Sequence, residues 1–111
     1  MTVDFKKIKK VYVIGIKGSG VVAISEMLIL MGIEVLGSDT NEKFFTDKIL
    51  QRLGIKYFEE FAAENIPDQV DLVVYSTAYN AENNPEFQEA QKRNLPMLSY
   101  PEILAEFFNQ K

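Results

Sequence analysis

The residues of this sequence whose types and spacing suit chemistry lie in one short stretch, residues 11–20, which reads VYVIGIKGSG. A β-branched, strand-like run leads into Gly15, Gly18 and Gly20, and an apolar, helix-like run follows. Such a turn brings backbone N–H groups close together, and the start of a helix adds partial positive charge. The stretch therefore predicts a phosphate-binding loop, with a tight strand-to-helix turn as the alternative.

The phosphate loop of nucleotide triphosphatases is a poor match to this stretch. That loop needs G-x-x-x-x-G-K-[ST], in which Lys holds the outer phosphates and the hydroxyl holds magnesium. Gly15 and Gly20 have the required spacing, but Val21 and Val22 stand where the Lys and the hydroxyl belong. We therefore do not expect triphosphate hydrolysis at this loop.

The dinucleotide fingerprint is a closer but imperfect match. It needs G-x-G-x-x-G and an acidic residue about 20 residues further on. Gly15 and Gly20 supply the first and third glycines, and Asp39 is placed to accept hydrogen bonds from ribose hydroxyls. Lys17 replaces the middle glycine, where its side chain either crowds the phosphate or adds a positive charge to it. The pattern favours a nucleotide diphosphate over NAD specifically.

Composition excludes several function classes. The 111 residues include no Cys and no His, so thiolate zinc sites, Cys nucleophiles and His bases are absent, and we expect no metal site. A net charge of −4 argues against a nucleic-acid partner. The longest apolar stretch, residues 21–31, is too short to span a bilayer, so we expect no membrane partner. Four lysines among the first ten residues do not form a signal peptide, and we expect a cytoplasmic protein.

The elements that must position the loop alternate between strand and helix. We predict strands at 11–14, 33–36, 55–58, 72–75 and 96–98, and helices at 21–31, 46–53, 85–93 and after Ser99. Alternation at this spacing requires parallel strands joined by right-handed crossovers. The predicted fold is a three-layer α/β, Rossmann-like domain whose five-stranded parallel sheet has the order 3-2-1-4-5.

In such a sheet, ligands bind at the carboxyl ends of the strands, where the strand order reverses. Three predicted loops meet there, namely 15–20, 38–40 and 76–79. Ser76, Thr77 and Ala78 are contact candidates, and ordinary turn residues are the alternative. We interpret Glu59 and Glu60 as solvated surface.

The first helix is apolar over most of its circumference, which leaves its packing open. Ile24, Met27, Leu28 and Met31 have the spacing of a buried helix face. The second face, with Val22 and Ile29, serves either the domain's own core or a protein partner.

Beyond these single motifs, several pieces of the sequence occur in an order that is typical of one family. The chain resembles the amino-terminal domain of the Mur ligases of peptidoglycan synthesis, in the branch that adds L-alanine to UDP-N-acetylmuramate. The resemblance covers nearly the whole chain. It rests on residues 13–20 (VIGIKGSG), 37–39 (GSD), 53–55 (LGI), 73–78 (VVYSTA), 84–86 (NPE), Pro96 and 101–105 (PEILA).

The resemblance implies that the full enzyme joins L-alanine to the lactyl carboxylate of UDP-N-acetylmuramate, using ATP and Mg²⁺ through an acyl phosphate. Residues 1–111 would form a single Rossmann-like domain that binds the UDP portion and contains no cofactor. The ATP-binding central domain and the C-terminal domain would be its partners, and this domain alone would be inactive and contain no catalytic residue. The implied diphosphate contacts are Gly15, Ile16, Lys17, Gly18, Ser19 and Gly20. The implied uridine contacts are Ser38, Asp39, Thr40, Ser76, Thr77 and Ala78.

The sequence departs from the family pattern at three places. The family usually has Gly-Gly where this chain has residues 17–18, Met and a small residue at 21–22, and often Gly-His near 59–60. Three alternatives stay open. They are a sister enzyme such as the ligase that recycles murein tripeptide, an NAD(P)-binding Rossmann half or nucleotide-sensing domain, and a small interaction domain.

Overall fold

A computed structural model describes residues 3–109 of the chain. Five parallel strands form one sheet in the order β3-β2-β1-β4-β5, which confirms the predicted fold class. The strands are β1 (Lys10–Ile14), β2 (Glu34–Ser38), β3 (Lys56–Phe58), β4 (Leu72–Tyr75) and β5 (Met97–Ser99). The α-helices of the described residues are α1 (Ser19–Leu30), α2 (Thr46–Arg52), α3 (Pro85–Lys92) and α4 (Tyr100–Asn109). Short 3₁₀ helices cover Phe5–Lys7 and Ala63–Asn65.

The central strand β1 separates two apolar clusters and so defines three layers. Val11 and Val13 face one cluster, which packs against α1, α2 and α4. Tyr12 and Ile14 face the other cluster, which packs against α3. All of these side chains are fully buried, which explains why β1 reads as a continuous apolar run and not as an alternating one.

The helix α1 begins and packs differently from the prediction. It starts at Ser19, two residues before the predicted Val21, with Gly18 as its N-cap. Its core face contains Ile24 and Leu28 as predicted, but Met27 and Met31 are 42% and 46% exposed. The periodicity could not select the face, because nearly every position of this helix is apolar.

The other face of α1 packs within the domain. Val22 is buried, and Ile29 is half-buried against the same core cluster. The small side chain of Ser25 is fully buried, and its hydroxyl donates to the carbonyl of Val21. The feature that favoured an interaction domain is therefore used by this chain's own core.

The last two helices, α3 and α4, each begin at a polar side chain that caps their first backbone N–H groups. Asn84 Oδ1 accepts hydrogen bonds from the N–H groups of Glu86 and Phe87, at 2.9 and 3.1 Å. The Ser99 N–H donates to Glu102 Oε1 at 2.8 Å, and the Glu102 N–H donates to the Ser99 hydroxyl at 3.3 Å. This reciprocal pair is a capping box, formed by a Ser and the Glu three residues after it.

A buried carboxylate under the carboxyl ends of the strands was not predicted. Glu86 on α3 is fully buried and accepts from the Tyr12 hydroxyl, the Ala62 N–H and Asn65 Nδ2, at 3.0, 3.1 and 3.0 Å. The Ser38 hydroxyl is its fourth donor. Burial raises the pKa of Glu86, although these hydrogen bonds oppose the shift. The network joins α3, β1, β2 and the segment before β4.

Candidate functional site

The carboxyl ends of β1, β2 and β4 surround a cleft with a volume of about 360 Å³. Residues from all three predicted loops line it, together with an aromatic pair that precedes α2. The lining residues are Gly15, Lys17, Gly18, Ser19, Asp39, Phe44, Phe45, Ser76, Ala78 and Tyr79.

The N-terminus of α1 opens into this cleft. The N–H groups of Ser19, Gly20 and Val21 lie in the first turn, where helix geometry provides no acceptor. The N-cap Gly18 makes no side-chain cap bond, and the first turn contains no acidic residue. These N–H groups and the helix dipole together suit an anion such as a phosphate.

The three glycines of the loop differ in how much space the fold leaves for a side chain. Gly15 has a φ of +85°, and an added Cβ would lie 2.8 Å from both Ser76 Cβ and Tyr79 Cε2. An added Cβ at Gly20 would lie 2.6 Å from the Tyr100 hydroxyl on α4. At Gly18, which lines the cleft, the nearest atom would be Val21 Cγ2 at 3.4 Å, so the fold itself leaves space for a Cβ there.

Asp39 fixes the glycine loop to the end of β2. Its Oδ2 accepts from the Lys17 N–H at 2.8 Å, and its Oδ1 accepts from the Thr40 N–H at 2.7 Å. The carboxylate also affects Tyr79 in the cleft. The pKa of Tyr79 is raised, first by burial of its own hydroxyl and then by the negative charge of Asp39. Asp39 is thus a structural residue of the cleft, whatever ligand the cleft binds.

The Lys17 side chain is enclosed by oxygen atoms of the protein. Its Nζ lies 2.8 Å from Glu59 Oε2, 2.8 Å from the Glu42 carbonyl and 3.3 Å from Asp47 Oδ2. Burial lowers the pKa of Lys17, but its bonds to Glu59 and Asp47 outweigh this effect and raise the pKa above its ordinary value. The side chain, which is 1% exposed, therefore stays protonated and paired inside the protein.

Glu59 is partly exposed, in line with its interpretation as a surface residue, but it also forms two ion pairs that were not predicted. Glu59 Oε2 accepts from Lys17 and, at 2.7 Å, from Lys43. These two bonds lower the pKa of Glu59 to about 2, and the bond from Lys17 has the larger effect. The pairing could not be predicted, because Glu59 lies 42 residues from Lys17 in the sequence and meets it only in the folded chain.

The structure brings seven of the twelve candidate residues to the cleft, and these seven are Gly15, Lys17, Gly18, Ser19, Asp39, Ser76 and Ala78. The other five do not line it. Ile16 and Ser38 are fully buried, the first in the core and the second against Glu86. Gly20 packs closely against Tyr100, while Thr40 and Thr77 are exposed beside the cleft lining.

Sequence reasoning missed the aromatic side of the cleft. Phe44 and Phe45 line it and are 42% and 72% exposed. Tyr79 also lines it, and its ring lies 4.8 Å from that of Phe61. The available signal was two adjacent aromatic residues at the end of a short polar connection, because exposed aromatic pairs often mark ligand contacts.

Among the described residues 3–109, the glycine loop lacks the Lys and hydroxyl side chains of a triphosphate loop. Within that range no group of three or more carboxylates is arranged to hold a metal ion. The positions where a triphosphate loop has its Lys and hydroxyl are the buried side chains of Val21 and Val22. In the same range no helix is long and apolar enough to cross a membrane.

Comparison with known proteins identifies the family. The model described as "Mur ligase family, catalytic domain" matches residues 10–111. The chain belongs to the Mur ligase family. This result confirms the resemblance found in the sequence.

Curated relatives of this Mur ligase chain include proteins named UDP-N-acetylmuramate–L-alanine ligase. The protein of that name from Treponema pallidum (strain Nichols) is 44% identical over 97 residues, which are 87% of this chain and 20% of the relative. The one from Aquifex aeolicus (strain VF5) is 42% identical over 106 residues, which are 96% and 23%. The chain thus spans about a fifth to a quarter of the length of these relatives.

Solved structures with this fold include two ligases. The UDP-N-acetylmuramate-alanine ligase of Thermotoga maritima has a TM-score of 0.82 and 28% identity, over 90% of this chain and 23% of that one. The Neisseria UDP-N-acetylmuramate:L-alanyl-gamma-D-glutamyl-meso-diaminopimelate ligase has a TM-score of 0.79 and 25% identity. That match covers 89% of this chain and 31% of the Neisseria protein.

Proposed function

We propose that this chain is the domain that binds the UDP portion of UDP-N-acetylmuramate in the ligase that adds L-alanine during peptidoglycan synthesis. The observation that carries the proposal is the cleft at the strand-order reversal, with the uncapped N-terminus of α1 opening into it. Membership of the Mur ligase family, and the name of the curated relatives from Treponema and Aquifex, support the same ligand.

In this proposal, the diphosphate lies against the first turn of α1. The backbone N–H group of Ser19 donates to its oxygens, and Gly18 lets the phosphate approach because it has no side chain. Lys17 does not neutralise the diphosphate, because its ammonium is already paired with Glu59 and Asp47. The charge is balanced by backbone dipoles instead.

The uridine lies on the opposite side of the cleft in the same proposal. Asp39 keeps free lone pairs after accepting from two backbone N–H groups, and these accept from ribose hydroxyls. Ser76 and Ala78 contact the nucleoside from the loop after β4. Phe44 and Phe45 offer exposed aromatic surface to its flat face.

The proposal assigns ATP and Mg²⁺ to parts of the ligase other than this chain. ATP supplies the phosphoryl group that activates the carboxylate, and the described residues have neither a Lys–hydroxyl pair nor a carboxylate group suited to that complex. The isolated chain is therefore expected to bind nucleotide without ligating it. Because the reaction uses ATP, the proposed location is the cytoplasm.

Calorimetry and NMR titration of this chain test the proposal. UDP-N-acetylmuramate and UDP should give heat and shift the amide signals of residues 15–20 and Asp39, whereas NAD should not. Absence of heat and shifts with UDP-N-acetylmuramate at millimolar concentration would refute the proposal. A clear response to NAD or NADP would favour the dinucleotide-binding alternative.

A second candidate is a ligase of the kind solved from Neisseria, since that protein shares the fold at a TM-score of 0.79. Both candidates use a UDP-N-acetylmuramate unit, so binding by this domain does not separate them. The complete ligase, assayed with L-alanine and with the tripeptide L-alanyl-γ-D-glutamyl-meso-diaminopimelate, separates them by which acceptor is consumed.

A further inference from the structure

Two hydrogen bonds that involve Lys17, one as donor and one as acceptor, enclose the segment that carries the aromatic pair. Lys17 Nζ donates to the carbonyl of Glu42 at 2.8 Å, just before this segment. The Thr46 hydroxyl donates to the Lys17 carbonyl at 2.6 Å, just after it. Residues 43–45 lie between these two attachments, and Phe44 and Phe45 are the members that line the cleft.

The ammonium is also tied to two further segments. Asp47 Oδ2 lies 3.3 Å away at the start of α2, and Glu59 Oε2 lies 2.8 Å away after β3. The Lys17 side chain is 1% exposed, whereas that of Lys43, which bonds to the same Glu59, is 72% exposed. Reaching a ligand would require Lys17 to break contacts with three oxygen atoms.

We propose that Lys17 is a positioning residue that holds Phe44 and Phe45 as a wall of the cleft, and that it affects nucleotide binding through this wall. It does so without contacting the diphosphate. A glycine at position 17 would keep the backbone carbonyl that accepts from Thr46 but would lose the ammonium contacts to Glu42, Asp47 and Glu59. The ligand part of this inference rests on the proposed function, while the attachment of the segment does not.

The first test needs no ligand. Amide hydrogen exchange is measured in the 111-residue chain and in Lys17→Met and Lys43→Met variants. The Phe44 N–H donates to Asp47 Oδ1, and the Asp47 N–H donates to the Phe44 carbonyl. Removing the Lys17 ammonium should speed hydrogen exchange at both of these amides at least tenfold. Lys43→Met is the matched control, because its side chain is exposed, and it should change exchange less than twofold.

The second test measures UDP affinity by calorimetry at low and high salt. Lys17→Met should weaken binding about tenfold, with the same salt dependence as the unmodified chain, because no ammonium–phosphate contact is lost. In a Phe44→Ala/Phe45→Ala background, Lys17→Met should weaken binding less than twofold further. Two changes that act through one structural element are not additive.

Three results would overturn the inference. They are unchanged exchange in Lys17→Met, a full tenfold effect that persists without the aromatic pair, and a reduced salt dependence that reveals direct phosphate contact. Failure of the unmodified chain to bind UDP would overturn the proposed function and the ligand part of this inference, and exchange would still decide whether Lys17 holds the segment.

If Lys17→Met does not fold, Glu59→Gln removes one partner of the ammonium from a partly exposed position. It should change exchange and affinity in the same direction by a smaller factor, and no change in either would overturn the inference.

Discussion

Replacement of Glu86 by Ala removes the acceptor that four donors share beneath the cleft. Two of those donors, the hydroxyls of Tyr12 and Ser38, are fully buried. The other two belong to Ala62 and Asn65, which are partly exposed. Water can replace Glu86 at the exposed pair only, so the two hydroxyls determine most of the cost.

An orphaned buried polar group costs about 1–3 kcal/mol, so two hydroxyls cost about 2–6 kcal/mol. Release of a buried carboxylate, whose pKa is raised by burial, offsets part of this cost. We expect Glu86→Ala to lower the free energy of unfolding by about 2–4 kcal/mol and the Tm by roughly 8–16 °C. That loss is a large part of the ~5–15 kcal/mol that stabilises a typical domain.

The matched variant Glu86→Gln keeps the shape and one acceptor oxygen. The Tyr12 and Ser38 hydroxyls can rotate to accept from its amide, so we expect a loss of about 1–2 kcal/mol. Gln91→Ala, at an exposed position of the same helix, is the surface control and should stay within about 0.5 kcal/mol. Urea unfolding followed by circular dichroism measures all three variants.

The same experiment has a pH dependence with a defined sign. Because the pKa of Glu86 is raised in the folded state, the proton binds more tightly there than in the unfolded chain. The contribution of Glu86 to stability is therefore largest below its ordinary pKa of 4.5, and it is lost as pH rises through the folded-state pKa. The advantage of the unmodified chain over Glu86→Gln should be greater at acidic pH than at pH 7. A loss below about 1 kcal/mol in Glu86→Ala, or the opposite pH trend, would refute this reasoning.

Three further predictions concern the cleft. The pKa of Glu59 is lowered to about 2, so this carboxylate contributes stability above its ordinary pKa of 4.5, and the contribution is lost as pH falls toward 2. The stability of Glu59→Gln, followed by circular dichroism, should therefore depend less on pH in that range. An unchanged acid transition contradicts this. Asp39→Ala should weaken UDP binding by about 1–3 kcal/mol in calorimetry, and equal affinity in a folded variant excludes the ribose contact. Gly18→Ala should unfold in urea like the unmodified chain, because its Cβ makes no contact shorter than 3.4 Å. It should bind UDP more weakly, because Gly18 lines the cleft. Gly20→Ala should lose about 1–3 kcal/mol of stability against Tyr100, and the reverse ranking in urea would argue against the assigned roles.

Local patterns determined the fold and the place of the cleft. Short apolar strands that alternate with helices are compatible with few connections, since crossovers between parallel strands are right-handed. Asn84 and Ser99 were recognisable as caps because each bonds within three residues of itself. The position of the glycine loop followed in turn, because parallel strands end on the same edge of the sheet.

Tertiary structure decided the contacts around Lys17, Glu86 and α1. Lys17 Nζ meets partners 25 and 42 residues away, and Glu86 meets the hydroxyls of Ser38 and Tyr12 from 48 and 74 residues away. A charged residue in a loop has the same local sequence whether it faces water, a ligand or another loop. The apolar α1 likewise has several faces that suit a core, and packing against the neighbouring helices selects one. The sequence by itself determined where the glycine loop lies, and only the folded chain decided that Lys17 points into the protein.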